Sequence, residues 1–298
     1  MAIVQLSPGP LEGRLRIYSL GAYRISVLNT SQTLFLTGTR RPKPCTISIP
    51  LRDPQVDNPI RAQGYTMPWP GVMGYNHGLR DFDLRLPANT ALATLIINKE
   101  HLLERHCQHR RSNLIVQRWE HTNQLQLRAT TITELRKQLL SLIDQDGPVR
   151  EPITPDKILS TMMEAFADNQ AETLGVAKRE TRHEAAIELL HWFTRHPGET
   201  STTEELSREL FQSRTSLFKG CQEHFGRSPQ ELQRLIRLDL VRQLLLDPQR
   251  CNELGLKGVG AIAAHLGFGS RSHFARRYSD QYLELPQQTL SRVVPNRS

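Results

Sequence analysis

Residues 259–278 read Val-Gly-Ala-Ile-Ala-Ala-His-Leu-Gly-Phe-Gly-Ser-Arg-Ser-His-Phe-Ala-Arg-Arg-Tyr, and few folds accommodate that order. Ile262 and Leu266 are four apart and share one helical face, and Ala263 is small enough for a second helix to cross nearby. Gly267 stands where a helix end needs a left-handed residue, and Phe268 can plug the turn into a core. Ser270 can cap the next helix, with Phe274 and Tyr278 on its buried face. Arg271, Ser272, His273, Arg276 and Arg277 then point outward. A rigid helix with donors on its open face suits a DNA major groove. Taken alone, the stretch is equally well read as a helical hairpin with a solvated basic face.

A related unit upstream changes that balance. The spacing predicts a helix over 180–195 that buries Ile187, Leu190 and Phe193 and is stopped by His196-Pro-Gly. Ser201-Thr-Thr-Glu204 reads as a capping box for a short helix over 203–210 that buries Leu206 and Leu210. Ser213 caps a third helix ending at Phe225. Leu217, Cys221 and Phe225 face inward, leaving Arg214, Thr215, Phe218 and Lys219 outside. Gly226-Arg-Ser-Pro closes this helix and opens a long one over 229–246, with Ser228 as cap and Pro229 in first position. Two units of short helix, turn and capped helix thus share one chain. Two rigidly held units can enter successive major grooves about 34 Å apart.

The first hundred residues carry a different signal. Ile17–Leu20, Tyr23–Leu28, Thr33–Thr37 and Cys45–Ile49 are short β-prone runs broken by Gly21, Gly38, Pro42 and Pro44, a pattern of a small β-sandwich or barrel. Residues 81–86 alternate polar and apolar, and 91–97 form an apolar strand. Asn98 can cap a helix over 99–109 bearing His101, His106, Cys107 and His109. No carboxylate or further Cys/His partner falls at a recognised ligand spacing, so solvated histidines are favoured over a metal site. Ile132, Leu135, Leu139 and Leu142 form one stripe on a helix over 131–143, fit for a dimer contact or for its own domain's core. Residues 156–168 are again helical. The expected domains are residues 1–170, β-rich with a helical end, a linker at 171–179, and an all-α domain at 180–298.

Bulk properties set limits. Net charge is +8 with an isoelectric point near 9.6, compatible with a polyanionic partner. The excess is spread out: from residue 179 onward there are 17 basic and 14 acidic residues, so local arrangement must carry the argument. Four scattered cysteines without a C-x-x-C pair indicate thiols, not zinc or redox chemistry. No apolar run of about 18 residues is present, and the first residues lack a signal-peptide pattern, so a cytoplasmic protein with no membrane association is expected.

Residues 180–292 closely resemble the DNA-binding domain of AraC/XylS-family transcription regulators. The motif residues are Leu206, Ser213, Leu217, Lys219, Gly226, Ser228, Pro229, Arg237, Leu238, Arg242, Leu244 and Leu245 in the first unit and long helix. The second unit supplies Ile262, Ala263, Gly267, Phe268, Ser272, Phe274, Arg276 and Tyr278. Ser207 departs from the usual alanine, Phe211-Gln212 occupies a turn that often holds glycine, and Leu283-Glu-Leu-Pro286 replaces G-x-S-P. The resemblance implies an α+β protein with a cupin-like N-terminal sandwich or barrel and accessory helices, followed by two helix-turn-helix units joined by a long helix. It implies double-stranded DNA and RNA polymerase as partners, with a homodimer and a small effector as further expectations. By the same resemblance, Thr215, Phe218 and Lys219, then Arg271, Ser272, His273 and Arg276, match base-facing positions, and the outward Arg214 beside them is also expected to touch DNA. Arg227 and Arg242 are expected to touch phosphate or stay in solvent. Tyr65, Trp69 and Tyr75 are candidate effector contacts or ordinary packing. No H-x-H with a downstream glutamate supports a catalytic cupin, and no cofactor is expected. The function expected is a sequence-specific transcription regulator, more an activator than a repressor. A nonspecific architectural DNA binder is the rival, and an enzyme with an appended DNA-binding module is weaker, since no nucleophile elbow or phosphate loop is present.

Overall fold

The structure, a computed structural model, describes residues 2–40, 44–76, 78–98, 101, 112–143, 154–168, 170–175 and 181–293. Two units emerge: one holds residues 1–2, 12–31 and 36–178, the other residues 3–11, 32–35 and 179–298, so the first and fourth strands are divided between them.

In the first unit the β-prone runs become β2 (Gly13–Leu20), β3 (Tyr23–Thr30), β4 (Leu34–Thr39), β5 (Pro44–Pro50), β6 (Arg61–Ala62), β7 (Tyr65–Thr66), β8 (Gly71–Met73), β9 (Asp81–Leu86) and β10 (Thr90–Asn98). They are followed by α1 (Ser112–His121), β11 (Thr122–Gln126), α2 (Ala129–Ile143), α3 (Pro155–Ala167) and β12 (Thr173–Gly175). One sheet runs β12-β11-β8-β5-β10-β3-β2, and in the other β4, β9, β6 and β7 are neighbours in that order. Pairing is antiparallel, with Leu95 opposite both Ile25 and Ile47.

Strand alternation gives the larger sheet two unlike faces. Ile25, Val27, Ile47, Ile49, Ala93, Leu95, Val72 and Leu125 form one core with α1, α2 and α3. The whole stripe Ile132, Leu135, Leu139 and Leu142 is buried there, so α2 spends its apolar face inside its own unit. The opposite face carries a row in register, Ser26, Thr94, Ser48, Met73 and Gln124, polar at each position but Met73. Ser48 and Thr94 bond at 3.0 Å. Of the predicted helix over 99–109, only His101 lies among the described residues. The Tyr23 hydroxyl sits 2.6 Å from its Nε2 and donates to Asp156 at 2.6 Å.

The second unit comprises β1 (Ala2–Gln5) together with α4 (Thr181–Arg195), α5 (Thr203–Glu209), α6 (Arg214–Phe225), α7 (Pro229–Leu246), α8 (Pro248–Glu253), α9 (Gly258–His265), α10 (Arg271–Tyr282) and α11 (Pro286–Ser291). α7 is the shared beam, about 27 Å long at 1.5 Å per residue. Its Leu232 and Ile236 join the core of α4, α5 and α6, whereas Leu238, Val241 and Leu245 join that of α9 and α10. The capping box of α5 falls one residue later than expected. Thr202, not Ser201, accepts from the Glu205 amide at 3.2 Å, and the Glu205 carboxylate accepts from the Thr202 amide at 2.7 Å. Ser201 and Glu204 have the right types, but the first helical residue, Thr203, sets the phase. No helix among the described residues is long and apolar enough to cross a membrane.

Asp239 lies on α7 beside Tyr282 and Arg242 and accepts from Gln243 at 2.7 Å. Burial raises its carboxyl to about 6 from an ordinary 3.8. Between about pH 4 and 6 the folded state therefore holds a proton that the unfolded chain has released. Its stabilising contribution is complete below about pH 4 and is lost as pH rises through about 6. Asp239→Asn should remove that fall and raise stability at pH 7 by about 1–2 kcal/mol. Urea midpoints at pH 4 and 7 check this; an equal fall in variant and wild type would refute the assignment.

Candidate nucleic-acid interface

The predicted DNA-facing residues lie on two helices of equal length. In α6 the Ser213 hydroxyl accepts from the Ser216 amide at 3.0 Å, and Gly226 closes the other end with φ +66°. Leu217, Cys221 and Phe225 are buried. Helical periodicity then turns Arg214, Thr215, Phe218 and Lys219 to the open side, all four exposed. Phe218 is 51% exposed despite its apolar ring, and Phe211 in the preceding turn is 95% exposed with φ +51°.

α10 repeats the plan. Ser270 caps it through the His273 amide at 3.4 Å, and Phe274, Tyr278 and Tyr282 are buried behind it. Their rings form a ladder with centroids 5.7 and 4.7 Å apart. Arg271, Ser272, His273, Arg276 and Arg277 are exposed. Among the described residues, two of the guanidiniums have only distant ionic partners: Arg214 lies 3.9 Å from Glu204, and Arg276 lies 4.0 Å from Asp280. Such exposed pairs contribute little and yield readily to a phosphate or base. Arg271 is steadied differently, because its guanidinium lies along Gly260 of α9, where an added Cβ would stand 3.3 Å from Nε.

Other charged groups serve the scaffold instead. Arg242 donates to Glu284 at 2.6 Å and stacks 4.6 Å above the Tyr282 ring. Glu284 also accepts from Thr289 and pairs with Arg292. Arg242 is therefore neither a phosphate contact nor a solvated residue, contrary to expectation: it clamps the end of α10 to α7. Arg227 likewise turns inward, donating to the Leu6 carbonyl at 2.9 Å. Periodicity along one helix shows which way a side chain points, but not that a distant segment waits there.

The three aromatic candidates in the first unit do not converge. The Tyr75 hydroxyl bonds Thr122 at 2.7 Å and its ring meets Phe166 edge-on, which makes Tyr75 part of the sheet–helix core. Trp69 packs on that core under the Arg136 guanidinium, 4.5 Å away. Tyr65 belongs to β7 in the other sheet. A cleft lined by Gln126, Arg128, Thr131, Asp168 and Glu172 includes none of them.

Residues 206–292 match a family model described as a helix-turn-helix domain. Among solved structures, a probable AraC family transcriptional regulator from Rhodopseudomonas palustris is 29% identical over 38% of this chain and 99% of its own, with a TM-score of 0.34. An AraC-type regulator from Chromobacterium violaceum is 20% identical over 38% of this chain and 95% of its own, with a TM-score of 0.34. ToxT from Vibrio cholerae is 13% identical over 98% of both chains, with a TM-score of 0.35. Among curated proteins none matches.

Proposed function

We propose that this chain, a DNA-binding transcriptional regulator whose C-terminal region is an AraC-type helix-turn-helix domain, activates transcription by laying α6 and α10 in successive major grooves on one face of a duplex. The supporting observation is the duplicated surface. Each helix is serine-capped, is buried along one stripe, and presents cationic and hydroxyl donors along the other. α7 belongs to both cores, so the two surfaces are carried on one beam. Arginine reads guanine with two bonds, and an exposed phenyl ring such as Phe218 suits a thymine methyl. RNA polymerase is the partner that activation requires.

The β-rich unit is read as the seat of a small effector. Its polar sheet face supports that reading better than the scattered aromatics do. Gln124 is only 4% exposed, and its Oε1 has no hydrogen-bond partner among the described residues, a costly arrangement that a polar ligand would relieve.

Selection of duplex fragments by the full chain, with and without candidate metabolites, followed by footprinting, tests the reading. A recurrent motif with two half-sites about one helical turn apart supports it, and uniform binding without a motif favours the architectural rival. On the selected site, Arg276→Ala should weaken specific binding by about 1–3 kcal/mol while nonspecific binding changes far less. Equal loss on all sequences would assign Arg276 to phosphate. A reporter behind the selected site separates activation from repression.

A further inference from the structure

Residues 3–11 and 32–35 stand apart in sequence from the helices, yet they belong to the same unit. Val4, Leu6 and Phe35 are buried in one core with Leu217 and Phe225 of α6, and the Phe35 and Phe225 rings meet edge-on at 4.7 Å. The segment is internally braced. The Leu6 amide donates to Thr33 at 2.8 Å, and the Gln5 side chain donates to the Ser7 and Gly9 carbonyls at 2.8 and 2.7 Å.

Both recognition helices grip this segment by their C-terminal ends. Arg227, just past the Gly226 cap of α6, donates to the Leu6 carbonyl at 2.9 Å. Gln281, in the last turn of α10 and 7% exposed, donates to the Ser7 and Gln5 carbonyls at 3.2 and 3.4 Å. The Gln281 carbonyl in turn accepts from the Gly9 amide at 2.7 Å. Three consecutive carbonyls thus connect the ends of the two helices. Consecutive Cα atoms are about 3.8 Å apart across a trans peptide, so covalent geometry bounds the separation of the two grips. The charges nearby would otherwise push apart: Arg227 and Arg277 both lie close enough to Arg234 to lower its pKa, which burial already depresses. The strap lays carbonyl oxygens beside this cluster.

We propose that residues 3–11 are a spacer strap that sets the distance and angle between α6 and α10, with Arg227 and Gln281 as positioning residues that determine which half-site spacing the protein accepts. The proposal rests on the two-groove reading. It makes the strap part of the DNA-bound form, not a segment released on binding.

The test compares full-length wild type with the Arg227→Met, Gln281→Met double variant on the selected duplex and on duplexes with one base pair inserted or removed between half-sites. One base pair rotates the second half-site by about 34° and shifts it by about 3.4 Å, so wild type should lose about tenfold or more in affinity. In the variant that penalty should shrink to about threefold or less, while single-base penalties within each half-site persist. An unchanged spacing penalty would overturn the proposal. A readout on wild type guards against a variant that does not fold. The amides of Leu6 and Gly9 should exchange slowly with solvent in the free protein and equally slowly or more slowly on the duplex. Fast exchange in the free protein, or faster exchange on DNA, would also overturn it. Failure to select any two-part motif would remove the two-groove reading itself, a result separable from an unchanged spacing penalty.

Discussion

Gly220→Ala is expected to destabilise the helical unit by about 3 kcal/mol, lowering its melting temperature by on the order of 10 °C. Gly220 sits mid-way along α6, where α4 crosses. A Cβ there would overlap the Arg182 carbonyl oxygen, with the carbonyl carbon at 3.1 Å and the Ala186 Cβ at 3.2 Å. The obstacle is backbone, so no side-chain rotation relieves it. The helices must separate, loosening contacts among Ala185, Leu189, Leu217 and Cys221, all fully buried. The sign makes the measurement decisive. In an uncrowded helix, alanine would stabilise by about 1 kcal/mol over glycine. Thermal and urea unfolding of the variant therefore distinguish a tight crossing from a loose one. A melting temperature equal to or above wild type would show that α4 and α6 do not approach as described. Because α6 carries Arg214 and Lys219, specific DNA binding should weaken together with stability.

The second helix-turn-helix was legible almost residue by residue. Gly267 takes φ +81°, Ser270 caps α10, and Phe274 and Tyr278 are buried. Each of those signals is local: a glycine for a left-handed turn, a hydroxyl at a helix start, apolar residues four apart. Departures from the family pattern were visible too. Phe211 and Leu283 hold positive φ angles of 51° and 53° where glycine would be unstrained, while the turns are kept. Nonlocal partnerships were not legible. Nothing in Met-Ala-Ile-Val-Gln-Leu signals that Val4 and Leu6 pack among helices that begin only at Thr181. Helix α1 and strand β11 also escaped notice, because Thr122–Gln126 is polar on one side and takes its place at β8 through backbone pairing. Buried His183 and His224, 3.0 Å apart between α4 and α6, look like solvated residues in the linear sequence. The same limitation explains Arg242, whose carboxylate partner lies 42 residues later.

Arg237 illustrates a polar group that neither charge counting nor periodicity would place in a core, and its loss is expected to rank with that of Gly220. It is 8% exposed on α7. Its Nε donates to the Pro197 carbonyl at 3.1 Å, and Nη2 donates to the Glu199 carbonyl, which also accepts from Gln233 at 3.0 Å. Burial lowers its pKa, but a guanidinium remains charged at any physiological pH. The loop it holds lies against the turn of the second unit. A Cβ on Gly198 would stand 3.1 Å from the His265 carbonyl, and one on Gly267 would stand 3.0 Å from the Gly198 carbonyl and 3.5 Å from Arg237 itself. One side chain therefore fastens the loop after α4 to the turn before α10. Arg237→Met keeps much of the apolar stem and removes the cost of burying a charge, but it abandons two charge-assisted bonds, to the Pro197 and Glu199 carbonyls. The net loss is expected to be about 3 kcal/mol. Arg237→Lys, able to meet one carbonyl but not both in fixed geometry, should fall between. Urea midpoints in the order Arg, Lys, Met establish the staple. A methionine variant as stable as wild type would mean that the loop is held by packing alone. In that event the turn ahead of α10 would owe its position to Gly198 and Gly267, and alanine at either glycine would become the more damaging change.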